Sequence, residues 1–205
     1  MVNMFMVKLE KGYGKQLDDK VRKYIYYAVD GSKRMTDLIN ELLAYARLSG
    51  DENIQELTDL NLVIEEIINL QKGVLENKNA TISYERLPVL LVEKTPIKIL
   101  FQNLISNALK YMSPETIPSI NISVTEKHDY WEFGIKDNGI GIDNEDHLKI
   151  FQLFKRLHTR EEFEGTGMEI AAFKKIVGRH DGSIWVYSKI GEGSTLYFTI
   201  HKLIG

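Results

Sequence analysis

Residues 17–48 have the hydrophobic pattern of one long helix. The segment contains no proline, and its apolar side chains recur at helical spacing in a heptad-like stripe. Asp18 and Asp19 favour a helix start, and Gly50 favours a stop. We therefore predict a helix of about eight turns. The stripe consists of Val21, Tyr24, Ile25, Ala28, Met35, Leu38, Ile39, Leu42 and Tyr45.

A second helical segment is predicted before this helix. Residues 5–9 have the pattern of the last turns of a helix, and residues 11–15 contain two glycines that favour a connection. The stripe is too long for a neighbouring domain to bury on one side, so we predict a helical hairpin over residues 1–50. The alternative is a single helix on the surface of the next domain.

From residue 51 onward, helical and strand patterns alternate, which predicts an α+β domain over residues 51–205. Thr95 and Pro96 are predicted to cap and begin one of its helices. A long loop is predicted over residues 137–167. The predicted helices are 61–77, 96–111 and 168–178, and the predicted strands are 81–84, 89–92, 119–125, 131–136, 183–188 and 195–200.

Composition narrows the possible classes of protein. The absence of cysteine excludes disulfide frameworks, thiol catalysis and cysteine-ligated zinc. Acidic and basic residues are mixed and the net charge is -3, so we expect no nucleic-acid binding. The apolar runs are far shorter than the roughly 20 residues of a membrane span. We therefore expect a cytoplasmic location, either as a whole protein or as a fragment of a membrane-anchored receptor.

Three polar residues share one face of the predicted helix 96–111. Asn103, Asn107 and Lys110 are spaced at i, i+4 and i+7, opposite an apolar face. A carboxamide oxygen suits Mg²⁺, and a nearby ammonium neutralises phosphate oxygens. An ordinary solvated helix face is the alternative interpretation.

Two glycine-containing segments flank the long loop. Asp137 directly follows a predicted strand, where its carboxylate could accept a hydrogen bond from an adenine amino group, and Gly139 and Gly141 would allow close approach of a ligand. Asp-Asn-Gly is also simple turn chemistry. Residues 165–167 precede a helix start, where free amides and the helix dipole favour phosphate.

From about residue 17 to its C-terminus, the chain resembles the histidine-kinase ATPase domains of the GHKL superfamily, because these segments follow one another in the order of that family's boxes. The matching segments are the N box at 101–111, the G1 box at 137–141, the F box at 151–154, the ATP lid at 155–164, the G2 box at 165–167 and the closing hairpin at 180–195.

The resemblance implies a two-layer α/β sandwich, a mixed sheet under three helices, that binds ATP and Mg²⁺. It implies catalytic roles at the phosphates for Asn103, Lys110 and Arg156, with Asn107 as the Mg²⁺ ligand and Tyr111 beside the adenine. The other implied nucleotide-binding residues are Asp137, Gly139, Gly141, Phe154, Gly165, Thr166 and Gly167. The hairpin would dimerise with a second copy into a four-helix bundle, and the partner would be a response-regulator receiver domain.

Two features depart from the family pattern. None of the five histidines precedes Gly50, so the phosphate-accepting histidine is absent and the chain alone should not autophosphorylate. In the family it would lie upstream of Met1, so we expect a truncated chain. We expect the histidines that are present at surface or turn positions. Glu169 stands where the family has a glycine, and two charges about 4 Å apart cost roughly 4 kcal/mol at an effective dielectric near 20.

The sequence therefore supports the ATP-binding catalytic core of a two-component sensor histidine kinase, which transfers the γ-phosphoryl group of ATP to a histidine outside this chain. The alternative is a degenerate kinase that acts as a dimerising scaffold with weak or no nucleotide binding, which Glu169 favours. A GHKL ATPase of another kind is a third interpretation.

Overall fold

The chain divides into two compact units, Met1–Arg47 and Leu48–Gly205. The computed structural model describes residues 5, 12, 18–47, 54–152, 157, 163 and 169–202. The first helix of the predicted hairpin and its connection therefore lie outside the described residues, apart from Phe5 and Gly12. Within the described ranges, no helix is both long enough and apolar enough to cross a membrane.

In the first unit, the predicted long helix is confirmed as α1, Asp19–Arg47. Asp18 caps its start, because its Oδ1 accepts a hydrogen bond of 2.7 Å from the Val21 amide. Ile25 is buried, whereas seven other large apolar side chains are each more than half exposed. These are Tyr24, Tyr26, Tyr27, Met35, Ile39, Leu42 and Leu43.

The second unit alternates strands and helices as predicted. Its helices are α2, Leu60–Lys78, α3, Lys94–Lys110, and α4, Glu169–Gly178, with two short 3₁₀ turns at Asn144–Asp146 and Lys149–Phe151. Its strands are β1, Glu56–Asp59, β2, Thr81–Tyr84, β3, Val89–Val92, β4, Ser119–Glu126, β5, Tyr130–Asp137, β6, Ile184–Lys189, and β7, Gly193–His201.

Five of these strands form one mixed sheet in the order β2-β4-β5-β7-β6. β2 is parallel to β4, and the other three pairs are antiparallel. β1 and β3 form a separate antiparallel pair in which Leu57 lies opposite Leu91. The sequence did not predict β1, because its four residues, Glu-Leu-Thr-Asp, include only one apolar side chain and show no strand pattern.

The three helices of this unit pack on the sheet in a single core. Phe101 from α3, Phe133 from β5 and Phe198 from β7 are fully buried, and their ring centroids lie 5.0–5.8 Å apart. Inward-facing residues of the strands alternate with outward-facing ones, as a half-covered sheet requires. This arrangement confirms the two-layer α+β architecture.

A polar cluster joins the start of α3 to the end of α4. Glu93 precedes α3, and its buried carboxylate lies 2.8 Å from the guanidinium of Arg179. The His180 ring contacts the Glu93 amide and the Ile176 carbonyl. His180 lies in a turn, as expected, but it is buried rather than at the surface.

The predicted start of α3 is wrong by two residues. Glu93, not Thr95, is the N-cap residue, and Pro96 is the third helical residue. Proline is tolerated there because amides of the first helical turn have no intrahelical acceptor. Glu93 makes no side-chain cap bond, since its carboxylate pairs with Arg179 instead.

Candidate functional site

The C-terminal half of α3 carries the three polar residues singled out from the sequence. Asn103, Asn107 and Lys110 are each partly exposed, while the neighbouring Leu104, Ile105 and Ala108 are buried. The helix end is held by Lys78, whose ammonium donates a hydrogen bond of 2.7 Å to the Leu109 carbonyl. The structure thus places all three polar side chains on the open face of one anchored helix.

Tyr111 ends α3 and brings several elements together. The Lys110 ammonium lies 4.7 Å from the centroid of the Tyr111 ring, within the range of a cation–π contact. The ring centroids of Tyr111 and Phe163 are 5.0 Å apart with an interplanar angle of 56°. The Tyr111 carbonyl accepts a hydrogen bond of 3.0 Å from the Ile140 amide.

Asp137 lies at the end of β5, as the sequence predicts. Its Oδ1 accepts hydrogen bonds from the amides of Gly139, at 2.8 Å, and Ser194, at 3.2 Å. Burial raises the pKa of this carboxyl group above its ordinary value, against the opposing effect of the two amides. Among the described residues, Oδ2 has no hydrogen-bond partner. Oδ2 is thus a desolvated acceptor, and the hydrogen bonds to Oδ1 hold the carboxylate in place. Such an oxygen is suited to accept a hydrogen bond from a donor on a ligand.

Two glycines allow the Asp137 loop to pack closely on its neighbours. A Cβ atom at Gly139 would lie 2.3 Å from the Tyr111 carbonyl oxygen. Gly141 has φ +74°, and a Cβ atom there would lie 2.1 Å from the Lys189 carbonyl oxygen. A larger residue at either position would push the loop away, so Gly139 lets the loop lie against the end of α3 and Gly141 lets it lie against the end of β6.

Sequence reasoning missed two polar side chains that support this loop. The Asn138 carboxamide joins the Asp137 loop to residues 117–119, because it accepts a hydrogen bond from the Ser119 amide and donates one to the Ile117 carbonyl. The Ser188 hydroxyl accepts from the Ile142 amide and donates to the Gly193 carbonyl. Asn138 lies inside the predicted Asp-Asn-Gly segment, but nothing local in the sequence identifies Ser188.

The ends of the helices explain why these groups converge. α3 begins at the Glu93–Arg179 pair and ends against the Asp137 loop, whereas α4 ends at that pair. Because α3 and α4 also pack together, they are antiparallel, and the start of α4 is directed toward the end of the layer where Asp137 lies. Helix starts present free amides and a partial positive charge, which suits a phosphate.

Several predicted site residues lie outside the described part of the chain. They are Phe154, Arg156, Gly165, Thr166 and Gly167. Glu169 is the first residue of α4. The structure therefore brings together Tyr111, Lys110, Asp137, Gly139 and Gly141, and the contribution of the other residues stays a prediction.

Two known proteins show what this chain is similar to in sequence. It is 42% identical over 193 residues to cyanobacterial phytochrome A of Nostoc sp., covering 94% of this chain and 25% of that protein. It is 31% identical to the sensor protein kinase WalK of Staphylococcus haemolyticus, covering 97% of this chain and 33% of that protein. The chain thus spans a quarter to a third of the length of these relatives.

A solved structure shares the fold. The histidine kinase ThkA, in complex with the response regulator TrrA, matches with a TM-score of 0.65 at 22% identity, over 98% of this chain and 58% of that chain.

A known protein family matches most of the second unit. Residues 93–204, from the start of α3 to the end of the sheet, match the family described as histidine kinase-, DNA gyrase B- and HSP90-like ATPases. This range includes α3 and the Asp137 loop, which carry the residues that the structure brings together, and it also includes α4. The chain therefore belongs to the histidine kinase-, DNA gyrase B- and HSP90-like ATPase family, whose nucleotide is ATP.

Proposed function

We propose that this chain is the ATP-binding catalytic core of a two-component sensor histidine kinase. In this proposal it transfers the γ-phosphoryl group of ATP to a histidine outside the chain. The observation that carries the proposal is the Asp137 carboxylate, whose Oδ1 is held by two amides while Oδ2 has no partner among the described residues. The similarity of this chain to a sensor protein kinase along nearly its whole length supports the same assignment.

The residues around Asp137 suit the parts of a nucleotide. Oδ2 would accept a hydrogen bond from the adenine amino group, and Tyr111 would lie beside the base. Asn103 and Lys110 would face the phosphates from α3. The neutral, hard carboxamide oxygen of Asn107 fits Mg²⁺, which would neutralise phosphate oxygens when bound. Phe154, Arg156 and the segment 165–167 would complete the site.

The proposed transfer needs no covalent intermediate on this chain. A ring nitrogen of the acceptor histidine attacks the γ-phosphorus, the bond from that phosphorus to the bridging oxygen breaks, and ADP leaves with the electron pair. Lys110 and Arg156 would stabilise the negative charge that develops on the transferring group. The protein thus acts by positioning and electrostatics.

We also propose two partners and a location. The exposed apolar side chains of α1 would pack against a second copy of the chain in a homodimer. The partner for phosphoryl transfer would be a response-regulator receiver domain, by analogy with the ThkA complex. The chain would work in the cytoplasm, either as a whole protein or as a fragment of a membrane-anchored receptor.

Incubation with ATP labelled at the γ-position tests the proposed transfer. We expect no acid-labile label on the chain alone, because none of its five histidines lies in the N-terminal segment that precedes Gly50. A separate hairpin domain that carries an acceptor histidine should become labelled when it is added, and Asn107→Ala should abolish that labelling. Acid-labile label on the chain itself, or equal labelling by Asn107→Ala, would contradict the proposal.

One observation favours the second candidate function, a dimerising scaffold that binds little nucleotide. Glu169 is the first residue of α4, where a carboxylate would oppose a phosphate. A chain that dimerises but binds no nucleotide at millimolar concentration would support this candidate instead.

A further inference from the structure

The Tyr111 ring is a meeting point of two other side chains. The Lys110 ammonium lies 4.7 Å from its centroid, and the Phe163 ring lies 5.0 Å from it in a tilted arrangement. Phe163 is partly buried, although it comes from the long segment between the two 3₁₀ turns and α4. An aromatic contact of this kind typically contributes about 0.5–1.5 kcal/mol beyond the area it buries.

Tyr111 also lies next to Asp137, the hydrogen-bond acceptor described above. The Tyr111 carbonyl oxygen accepts from the Ile140 amide and is in close contact with Gly139, whose own amide donates to Asp137 Oδ1. Phe163, Tyr111 and the Asp137 loop therefore form one continuous set of contacts. The ring contact at 5.0 Å leaves no room for a base between the two aromatic rings.

We propose that Phe163 determines nucleotide affinity on the base side of the site, by forming with Tyr111 an aromatic wall whose edge contacts the adenine ring. This inference rests on the proposed function, because it assumes that Asp137 binds adenine. A phenyl ring carries no charge, so its contribution should be the same for AMP, ADP and ATP. Lys110 is the opposite case, since its ammonium acts on the phosphates.

Titrations of one set of variants with AMP, ADP and ATP test the proposal. Phe163→Ala should weaken binding of all three nucleotides by a similar factor, about two- to tenfold, which corresponds to the loss of one aromatic contact. Phe163→Tyr keeps the ring and should bind like the parent chain. Lys110→Met should weaken ATP binding more than AMP binding. Equal unfolding midpoints of the variants show that folding is intact.

The outcomes separate this inference from the proposed function. Unchanged binding by Phe163→Ala, in a chain that binds ATP, overturns the inference and leaves the proposed function standing. A loss that grows with the number of phosphates also overturns it, since Phe163 would then act on the phosphate side. Weaker binding by Phe163→Tyr than by the parent chain also overturns the inference, because this variant keeps the aromatic ring. A parent chain that binds none of the three nucleotides overturns the proposed function and the inference with it.

Discussion

Replacing Asp137 by asparagine is expected to lower the affinity for ATP by about a hundredfold. The amide can keep the bonds from Gly139 and Ser194 through its oxygen, so the loop stays in place. Its NH₂ group, however, replaces the Oδ2 acceptor and faces the adenine amino group, donor against donor. Loss of a charge-assisted hydrogen bond costs about 1.5–3 kcal/mol, and a factor of 100 in affinity corresponds to about 2.7 kcal/mol.

The same variant should change the choice of base. Inosine triphosphate carries a carbonyl oxygen where ATP carries the amino group, so it should bind Asp137→Asn better than it binds the parent. Calorimetric titration of both proteins with both nucleotides measures this change. Asp129→Asn, an exposed position on the β4–β5 turn, is the matched control and should behave like the parent. Equal ATP affinities of Asp137→Asn and the parent would contradict the role of this carboxylate.

The stability of Asp137→Asn should be retained or increased near neutral pH. A raised pKa means that the folded chain binds this proton more tightly than the unfolded chain, so ionised Asp137 costs folding free energy above its folded pKa. That cost disappears as the pH falls through the folded pKa. Adenosine binding by the parent should weaken over the same pH range, because protonation removes the acceptor, and this pH dependence should be absent from Asp137→Asn.

Replacing Glu169 by glycine is expected to tighten Mg²⁺-ATP binding at least tenfold, about 1.4 kcal/mol. Glu169 is the first residue of α4, and free amides in that turn suit phosphate. A glutamate there adds negative charge and bulk beside the triphosphate. Its removal should also lower stability by about 1 kcal/mol, because glycine has poor helix propensity and the acid favours the helix start.

Glu169→Gln separates the two contributions. It keeps the size of the side chain but removes the charge, so it should recover most of the gain if charge dominates. Calorimetric titration with a non-hydrolysable ATP analogue measures the affinity, and urea denaturation measures the stability. If neither variant binds more tightly than the parent, the carboxylate does not oppose the phosphates and Glu169 does not limit nucleotide binding.

The parts of the fold that the sequence predicted are those with a local pattern. The stripe of α1 and the alternation in β5 repeat at fixed spacing, so their periods identify helix and strand. Asp137 was predicted because it directly follows such a strand and precedes two glycines. Both glycines then prove necessary in the structure, where a Cβ atom would collide with a neighbouring carbonyl.

The parts that the sequence missed depend on partners far along the chain. Glu93 is an unusual N-cap residue, and only its pairing with Arg179 explains why α3 begins there rather than at Thr95. The burial of His180 follows from its contacts with that same helix start. Ser188 supports the Asp137 loop from another strand. Such pairings arise from the tertiary fold and leave no periodic signal in the sequence.

The central claim is that ATP binds where the Asp137 loop meets the end of α3, and one calorimetric experiment tests it most directly. The parent chain is titrated with a non-hydrolysable ATP analogue in the presence of Mg²⁺, alongside Asn107→Ala. We predict saturable binding of one nucleotide per chain, weakened at least tenfold in Asn107→Ala without a change in the unfolding midpoint. No saturable binding by the parent, or equal affinity of the two proteins, would contradict the claim.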